Sequence, residues 1–216
     1  MNKQNARMFK SGKQWVIAAA AVAAMGGMAV AHQSASADLS TAISGLFSDM
    51  AAKATKVNVV IALDNSGIVS DNENAASVSG DTITIKKGGT YTVTGSSDHV
   101  QIVVAAPADA DVNIVLNNAD LRSTQGTVIN GQSYGTMKIT AAGTNSVTDA
   151  KPIADQAELD AQPTKSAIYS TGDLTFDASS DGGVLNVRST MKGVDSAGHM
   201  SIASDKFSGN ITSNFQ

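Results

Sequence analysis

The chain has 216 residues, with 19 Gly, 3 Pro, no Cys, 16% charged and 4% aromatic residues, so disulfides, thiolate metal sites and cysteine nucleophiles are excluded. Its length fits one domain of ordinary size. Four of the 15 basic residues (Lys3, Arg7, Lys10, Lys13) precede residue 14, and all 19 acidic ones follow residue 37; the acidic body argues against nucleic acid as a partner, because neutralising phosphates needs clustered Lys and Arg.

The first 13 residues are basic, Trp15 to Val30 is an Ala-rich apolar run, and Ala35-Ser-Ala37 is a small-residue cleavage site. This is the three-part layout of a secretory signal peptide, and the apolar run is short for a membrane span. Residues 1–37 are therefore read as a signal peptide, with no membrane association after cleavage. Within it, Arg7-Met-Phe-Lys-Ser-Gly-Lys-Gln-Trp15 resembles the KxYKxGKxW signal of Gram-positive surface proteins. Lys10, Gly12, Lys13 and Trp15 match, while Arg7 and Phe9 depart from it. The resemblance implies export to the cell surface or medium.

Leu39 to Ala54 sets Ile43, Leu46, Phe47 and Met50 on one helical face, with Ser40 or Thr41 as cap. Residues 38–56 are thus expected to form a short helix capping the first strands of the body, with a linker or propeptide as the alternative. Val57 to Leu63 reads as a first strand, and Asp64-Asn-Ser-Gly67 and Asp71-Asn-Glu-Asn74 as turns. The second cluster lacks the spacing and the distal Glu of an EF-hand loop. Strand-like pieces then follow at Thr82–Ile85, Tyr91–Thr94, Val100–Val104, Val112–Leu116 and Met137–Thr140, punctuated by Gly and Asn. The tract from Asp149 to Lys165, with Pro152, Pro163 and no alternation, reads as an inserted loop or short helix.

After the insertion the chain repeats itself. Ala167-Ile-Tyr-Ser-Thr-Gly-Asp-Leu-Thr-Phe176 aligns without a gap to Gly193-Val-Asp-Ser-Ala-Gly-His-Met-Ser-Ile202, an offset of 26 residues. The same offset relates Leu185-Asn-Val187 to Ile211-Thr-Ser213, and Val112 to Met137 is close to it. A fixed period of this size marks a solenoid, and apolar alternation broken by Gly, Ser and Asp is strand-and-turn chemistry. The expected fold is an all-β parallel β-helix over 57–216, with coils of about 25–26 residues. The last residues end in mid-strand, which predicts that the polypeptide continues beyond residue 216.

Taken in order, Ser79–Ile85, Gly89–Gly95, Asp111–Asn117, Gly143–Asp149, Ala167–Ser170 with Gly172–Thr175, and Gly193–Ser196 resemble secreted bacterial carbohydrate-binding proteins. That family is built as a right-handed, pectate-lyase-like β-helix. The resemblance implies binding of polysaccharide, pectin-like or cellulose-like, with calcium in the structure and no established catalysis. The chain departs from the family where a Lys-Asp-Asp-Leu-like turn recurs: here the two turns are Thr171-Gly-Asp-Leu174 and Ala197-Gly-His-Met200. His199 is a poor calcium ligand, since calcium prefers oxygen.

With Ile168 and Val194 pointing inward, Tyr169 and Asp195 are expected as outward neighbours on adjacent coils. The ring would stack on a pyranose face and the acid accept hydroxyl hydrogen bonds; Tyr134 is a second candidate platform. Asp149, Asp173 and Asp195 are the candidate calcium ligands, each of which serves equally as a turn cap. Asn117 and Asn145 are expected in a structural Asn ladder. No catalytic residue is assigned: Arg122 and Arg188 stand in no recognisable acidic cluster, and His99 and His199 complete no Ser-His-Asp arrangement. The expected protein is a secreted, monomeric, non-catalytic polysaccharide binder; the alternatives are an adhesin spacer and a polysaccharide lyase.

Overall fold

Strict alternation of apolar and polar residues turns one side of nearly every segment after Val57 towards a shared interior. In Val57–Asp64, for example, Val59, Ile61 and Leu63 are buried while Asn58, Val60 and Ala62 are exposed, the period-two pattern of a strand with one dry face. The computed structural model describes residues 10–11, 14–15, 57–64 and 67–213. These fall in two units, Met1–Phe47 and Ser48–Gln216.

The first unit contributes an antiparallel pair, β1 (Lys10–Ser11) and β2 (Gln14–Trp15). The second holds β3 (Val57–Asp64), β4 (Gly67–Ser70), β5 (Ala76–Ser79), β6 (Thr82–Ile85), β7 (Gly89–Ser97), β8 (Gln101–Ala105), β9 (Asp111–Ser123), β10 (Ile129–Ser133) and β11 (Thr136–Asp149). After a short helix α1 (Gln156–Asp160) come β12 (Ser166–Ser170), β13 (Leu174–Ser189), β14 (Lys192–Ser196), β15 (Met200–Ile202) and β16 (Phe207–Ser213).

From β6 to β15 consecutive strands alternate between two sheets. One is six-stranded in the order β14-β12-β10-β8-β6-β5; the other is eight-stranded in the order β15-β13-β11-β9-β7-β3-β4, with β16 also on β13. Their inner faces share one core, in which Ile83, Ile102, Ile129 and Ile168 of the first sheet stand in register, as do Tyr91, Ile114, Ile139 and Phe176 of the second. The long strands bend where their registers shift, at Thr94/Gly95 and Ala141/Gly143. Gly95 and Gly143 have positive φ there, and a side chain at Gly95 would collide with the Leu63 carbonyl.

Two expectations are corrected. Pairing is parallel through the body, but β3–β4 and β5–β6 are antiparallel, so both sheets are mixed. Only Gly80-Asp81 joins β5 to β6, and a two-residue link permits a hairpin but not a parallel crossover; Gly80 takes the positive φ such a turn needs. The constant offset of 26 also fails in the last strand. It holds for Phe176 and Ile202, but Val187 pairs with Ile211 and Gly183 with Phe207. The bend at residues 177–182 is two residues longer than its successor at 203–206, a change that preserves which face points inward.

The insertion after Asp149 contains α1, whose N-cap Asp155 accepts from Glu158 N at 2.8 Å. Register resumes beyond it, with Met137 beside Leu174. The expected capping helix at 38–56 and nearly all of the signal peptide lie outside the described residues.

Candidate functional site

On a sheet with one dry face, the outward residues are free to meet a partner, and adjacent parallel strands set them about 4.8 Å apart. On the six-stranded sheet, one outward column runs Thr84, Val103, Asn130, Tyr169, Asp195. Asn130, Tyr169 and Asp195 are half-buried and occupy three successive strands. Asp195 takes an ion pair from Lys192 at 3.1 Å. The Asn130 Oδ1 is buried and accepts no hydrogen bond among the described residues. A buried acceptor left without a donor costs free energy of about 1–3 kcal/mol.

Tyr134 is placed elsewhere than expected. Its ring is buried, its hydroxyl is hydrogen-bonded to Ser170 Oγ, and it accepts from Gly172 N at 2.8 Å. Gly131, which carries no side chain, leaves the space this ring occupies. A ring packed into the core offers no face for stacking, and Tyr134 is a structural residue.

The three candidate calcium ligands do not form one site. Asp149 is buried and accepts from Ser189 Oγ at 2.9 Å and Lys151 N at 3.0 Å. Asp173 is exposed and accepts from His199 N at 2.8 Å across the neighbouring turn. Asp195 already holds Lys192. Among the described residues no three His, Cys, Asp or Glu side chains gather into a potential metal site. Calcium takes six to eight oxygens, and these separated, partnered carboxylates do not fit it. Asp149 and Asp173 act as turn caps.

Asn145 is buried and bridges neighbouring strands: its Oδ1 accepts from Ala119 N at 2.9 Å, and its Nδ2 donates to Ala142 O and Val184 O, each at 3.2 Å. Asn117 is exposed, and among the described residues its side chain accepts from Asn118 Nδ2. In place of an amide-to-amide ladder, Asn145 clamps backbone, and Asn118 Oδ1 and Asn186 Nδ2 likewise bond the backbone at Thr144 N and Asn145 O. Arg122 and Arg188 lie outward on either side of Thr148, two strand steps apart.

Sequence reasoning missed Asn130. Its signal was present: Asn130 follows Ile129 as Tyr169 follows Ile168, the same phase of the same alternation.

The model of a family described as carbohydrate-binding domain-containing protein matches residues 79–214, and that of the KxYKxGKxW signal peptide matches residues 1–41. The protein is accordingly exported. A curated relative from Acetivibrio thermocellus, named carbohydrate-binding domain-containing protein, is 31% identical over 122 residues, which are 56% of this chain and 42% of the relative. The chain therefore spans less than half the length of that relative. A solved structure, described as a polysaccharide lyase-like protein from C. thermocellum in a gadolinium derivative, is 28% identical with a TM-score of 0.60; the match covers 68% of this chain and 59% of that one.

Proposed function

This chain belongs to the family of carbohydrate-binding domain-containing proteins, and from that premise we propose that it is a secreted, non-catalytic polysaccharide binder. The reading rests on one observation above the others: Asn130, Tyr169 and Asp195 stand in register on three adjacent outward positions. Tyr169 supplies an amphipathic ring for a pyranose face. Asp195 accepts from sugar hydroxyls, and its ion pair with Lys192 holds it in place. Asn130, part-exposed beside the Tyr169 ring, extends the polar edge of the same face.

The same reading takes the alternation of strands between sheets as continuous winding in one direction, a right-handed parallel β-helix. Parallel crossovers are right-handed in nearly all proteins, and the registers Val112–Met137 and Leu174–Met200 are of one-turn length. The non-catalytic part is supported by the chemistry available. A lyase needs a strong base beside an activated α-proton, usually with a metal, whereas Arg122 and Arg188 stand with Thr148 between them and the carboxylates do not converge.

Affinity electrophoresis in gels containing soluble cellulose derivatives or pectin tests the proposal. The secreted protein is expected to be retarded by at least one glycan, and Tyr169→Ala to lose most of that retardation at an unchanged unfolding midpoint. Migration unaffected by every glycan would overturn the reading in favour of a spacer, and release of unsaturated products absorbing in the ultraviolet would overturn it in favour of a lyase.

A further inference from the structure

Both sheets finish on an open edge at the same end of the stack. β14 is last in the six-stranded sheet, and β15 and β16 are last in the eight-stranded one, each paired on one side only among the described residues. An edge strand presents a row of backbone N–H and C=O groups without a partner strand, and proteins usually blunt such an edge with Lys, Pro or a bulge. β15 (Met-Ser-Ile) and β16 (Phe-Ser-Gly-Asn-Ile-Thr-Ser) hold no charged residue and no Pro. Their registers on β13 run without a shift. The edge is regular and unguarded.

The inward phase of these strands is equally open. Met200, Ile202 and Ile211 are more than half exposed, and with Phe176, Val194 and Phe207 they surround the apolar hollow of about 530 Å³. Three features decide what fits there. Met200 and Ile202, like Phe207, Gly209 and Ile211, recur at two-residue intervals, the interval at which an extended chain lying alongside offers its own side chains. A strand in that place would continue the ladder β9-β11-β13-β16 by one member. Residues 190–213 carry Lys192 and Lys206 against Asp195 and Asp205, so this end is formally neutral on a body where acidic residues outnumber basic ones. The segment that fits therefore needs no charge of its own.

Two other occupants fit less well. A lipid tail would fill the hollow and leave the edge N–H and C=O groups unpaired. A second copy would bring another hollow, and two concave surfaces do not fill each other.

We propose that this end is a docking surface for an extended, uncharged segment of a partner protein, with aliphatic residues at alternate positions. The segment adds a strand along β16 and seats those residues in the hollow, the strand-addition mode of peptide recognition.

The test is fluorescence anisotropy of a labelled peptide titrated with the secreted protein. The probe copies Val112–Asn117 (Val-Asn-Ile-Val-Leu-Asn), in which Val112, Ile114 and Leu116 alternate as buried residues of the stack. The same peptide with Val115→Pro keeps those three side chains but cannot pair as a regular strand. Saturable binding is expected for the first peptide, and at least tenfold weaker binding for the second. Ile202→Ser in the protein should weaken binding at least fivefold at an unchanged unfolding midpoint. Val69→Ser, at a residue 66% exposed near the other end, should bind as wild type. If Ile202→Ser shifts the midpoint, the two peptides alone decide. Equal binding of both peptides would overturn strand addition in favour of a general apolar site, and full binding by Ile202→Ser would overturn the location. Absence of binding overturns the inference; a doubled mass by light scattering would then assign the end to a second copy.

Discussion

The two ends of the second unit use the same kind of residue and leave it in opposite states. Near β5, Ile61, Ile83 and Ile85 are fully buried, whereas Met200, Ile202 and Ile211 at the other end are 57%, 65% and 57% exposed. All six hold the inward phase of their strands; Ile202 lies in register with buried Phe176, and Ile211 with buried Val187. At the first end the chain folds back on itself. The Asp71 carboxylate accepts from Val60 N, and Asn72 O accepts from Ala75 N and Ala76 N, so that Ala75 and Ala76 enter the core. At the other end, Phe176, Val194, Met200, Ile202, Phe207 and Ile211 line an open apolar hollow of about 530 Å³. Alternation makes a residue eligible for burial; the neighbouring strand is what buries it.

That contrast makes the energy of a core substitution depend on position along the stack. Ile139 sits between Ile114 and Phe176 with no exposed surface, and Ile139→Ala is expected to lower unfolding stability by about 2–5 kcal/mol, the lost transfer energy plus a cavity the flanking strands cannot collapse. Denaturant unfolding of the exported chain checks it; a loss below about 1 kcal/mol would mean that the middle is no better packed than the exposed end. Next in size is Asn145→Ala, which leaves the buried Ala119 N–H without its acceptor and removes the contacts to three carbonyls. About 1–3 kcal/mol is expected from the same measurement, and Asn117→Ala, at an exposed position, should change it little.

Tyr91 tests the closed end through pH. Its ring is buried and its hydroxyl donates to Lys87 O at 2.6 Å; burial pushes the phenol up to about 12 from an ordinary value near 10. The folded state thus disfavours ionisation, so this contribution is fully present below about pH 10 and declines as pH rises towards about 12. Tyr91→Phe is expected to cost about 0.5–1.5 kcal/mol at neutral pH, from the lost hydrogen bond, and to flatten the alkaline fall in stability. An equally steep fall in the variant would assign the alkaline transition to other groups.

Much of this was legible in the sequence, and the reasons are local. The all-β character, the strands at Val57 and Val112, the register of Tyr169 with Asp195 and the 26-residue offset of Ile168 and Val194 follow from alternation and self-similarity, which each segment carries in its own residues. Three features were not legible because they depend on what lies across space. The antiparallel β4 and β5 are set by a two-residue link and by having a stack to close. Tyr134 reads as an outward turn residue until Gly131 vacates core volume for its ring. Asp149, Asp173 and Asp195 read as convergent only while their own partners, Ser189, His199 and Lys192, are unseen.

The smallest effect on stability is expected where the pattern looks most like core. Ile202 keeps most of its surface in water in the folded state, so Ile202→Ser changes the transfer term little, and the unfolding free energy should move by no more than about 0.5 kcal/mol. Its consequence lies in what the surface does. The hollow between Phe176 and Phe207, whose ring centroids are 5.6 Å apart, is apolar and open, and such patches gather apolar molecules from water. Binding of an environment-sensitive fluorescent dye is therefore expected to fall in Ile202→Ser while the unfolding midpoint holds. Ile83→Ser, the same chemical change in a fully buried residue near the other end, should do the reverse: unfold the chain readily and, short of unfolding, leave dye binding as it was. If both variants lost stability alike, the exposed end would be covered in solution, and the asymmetry between the two ends would vanish.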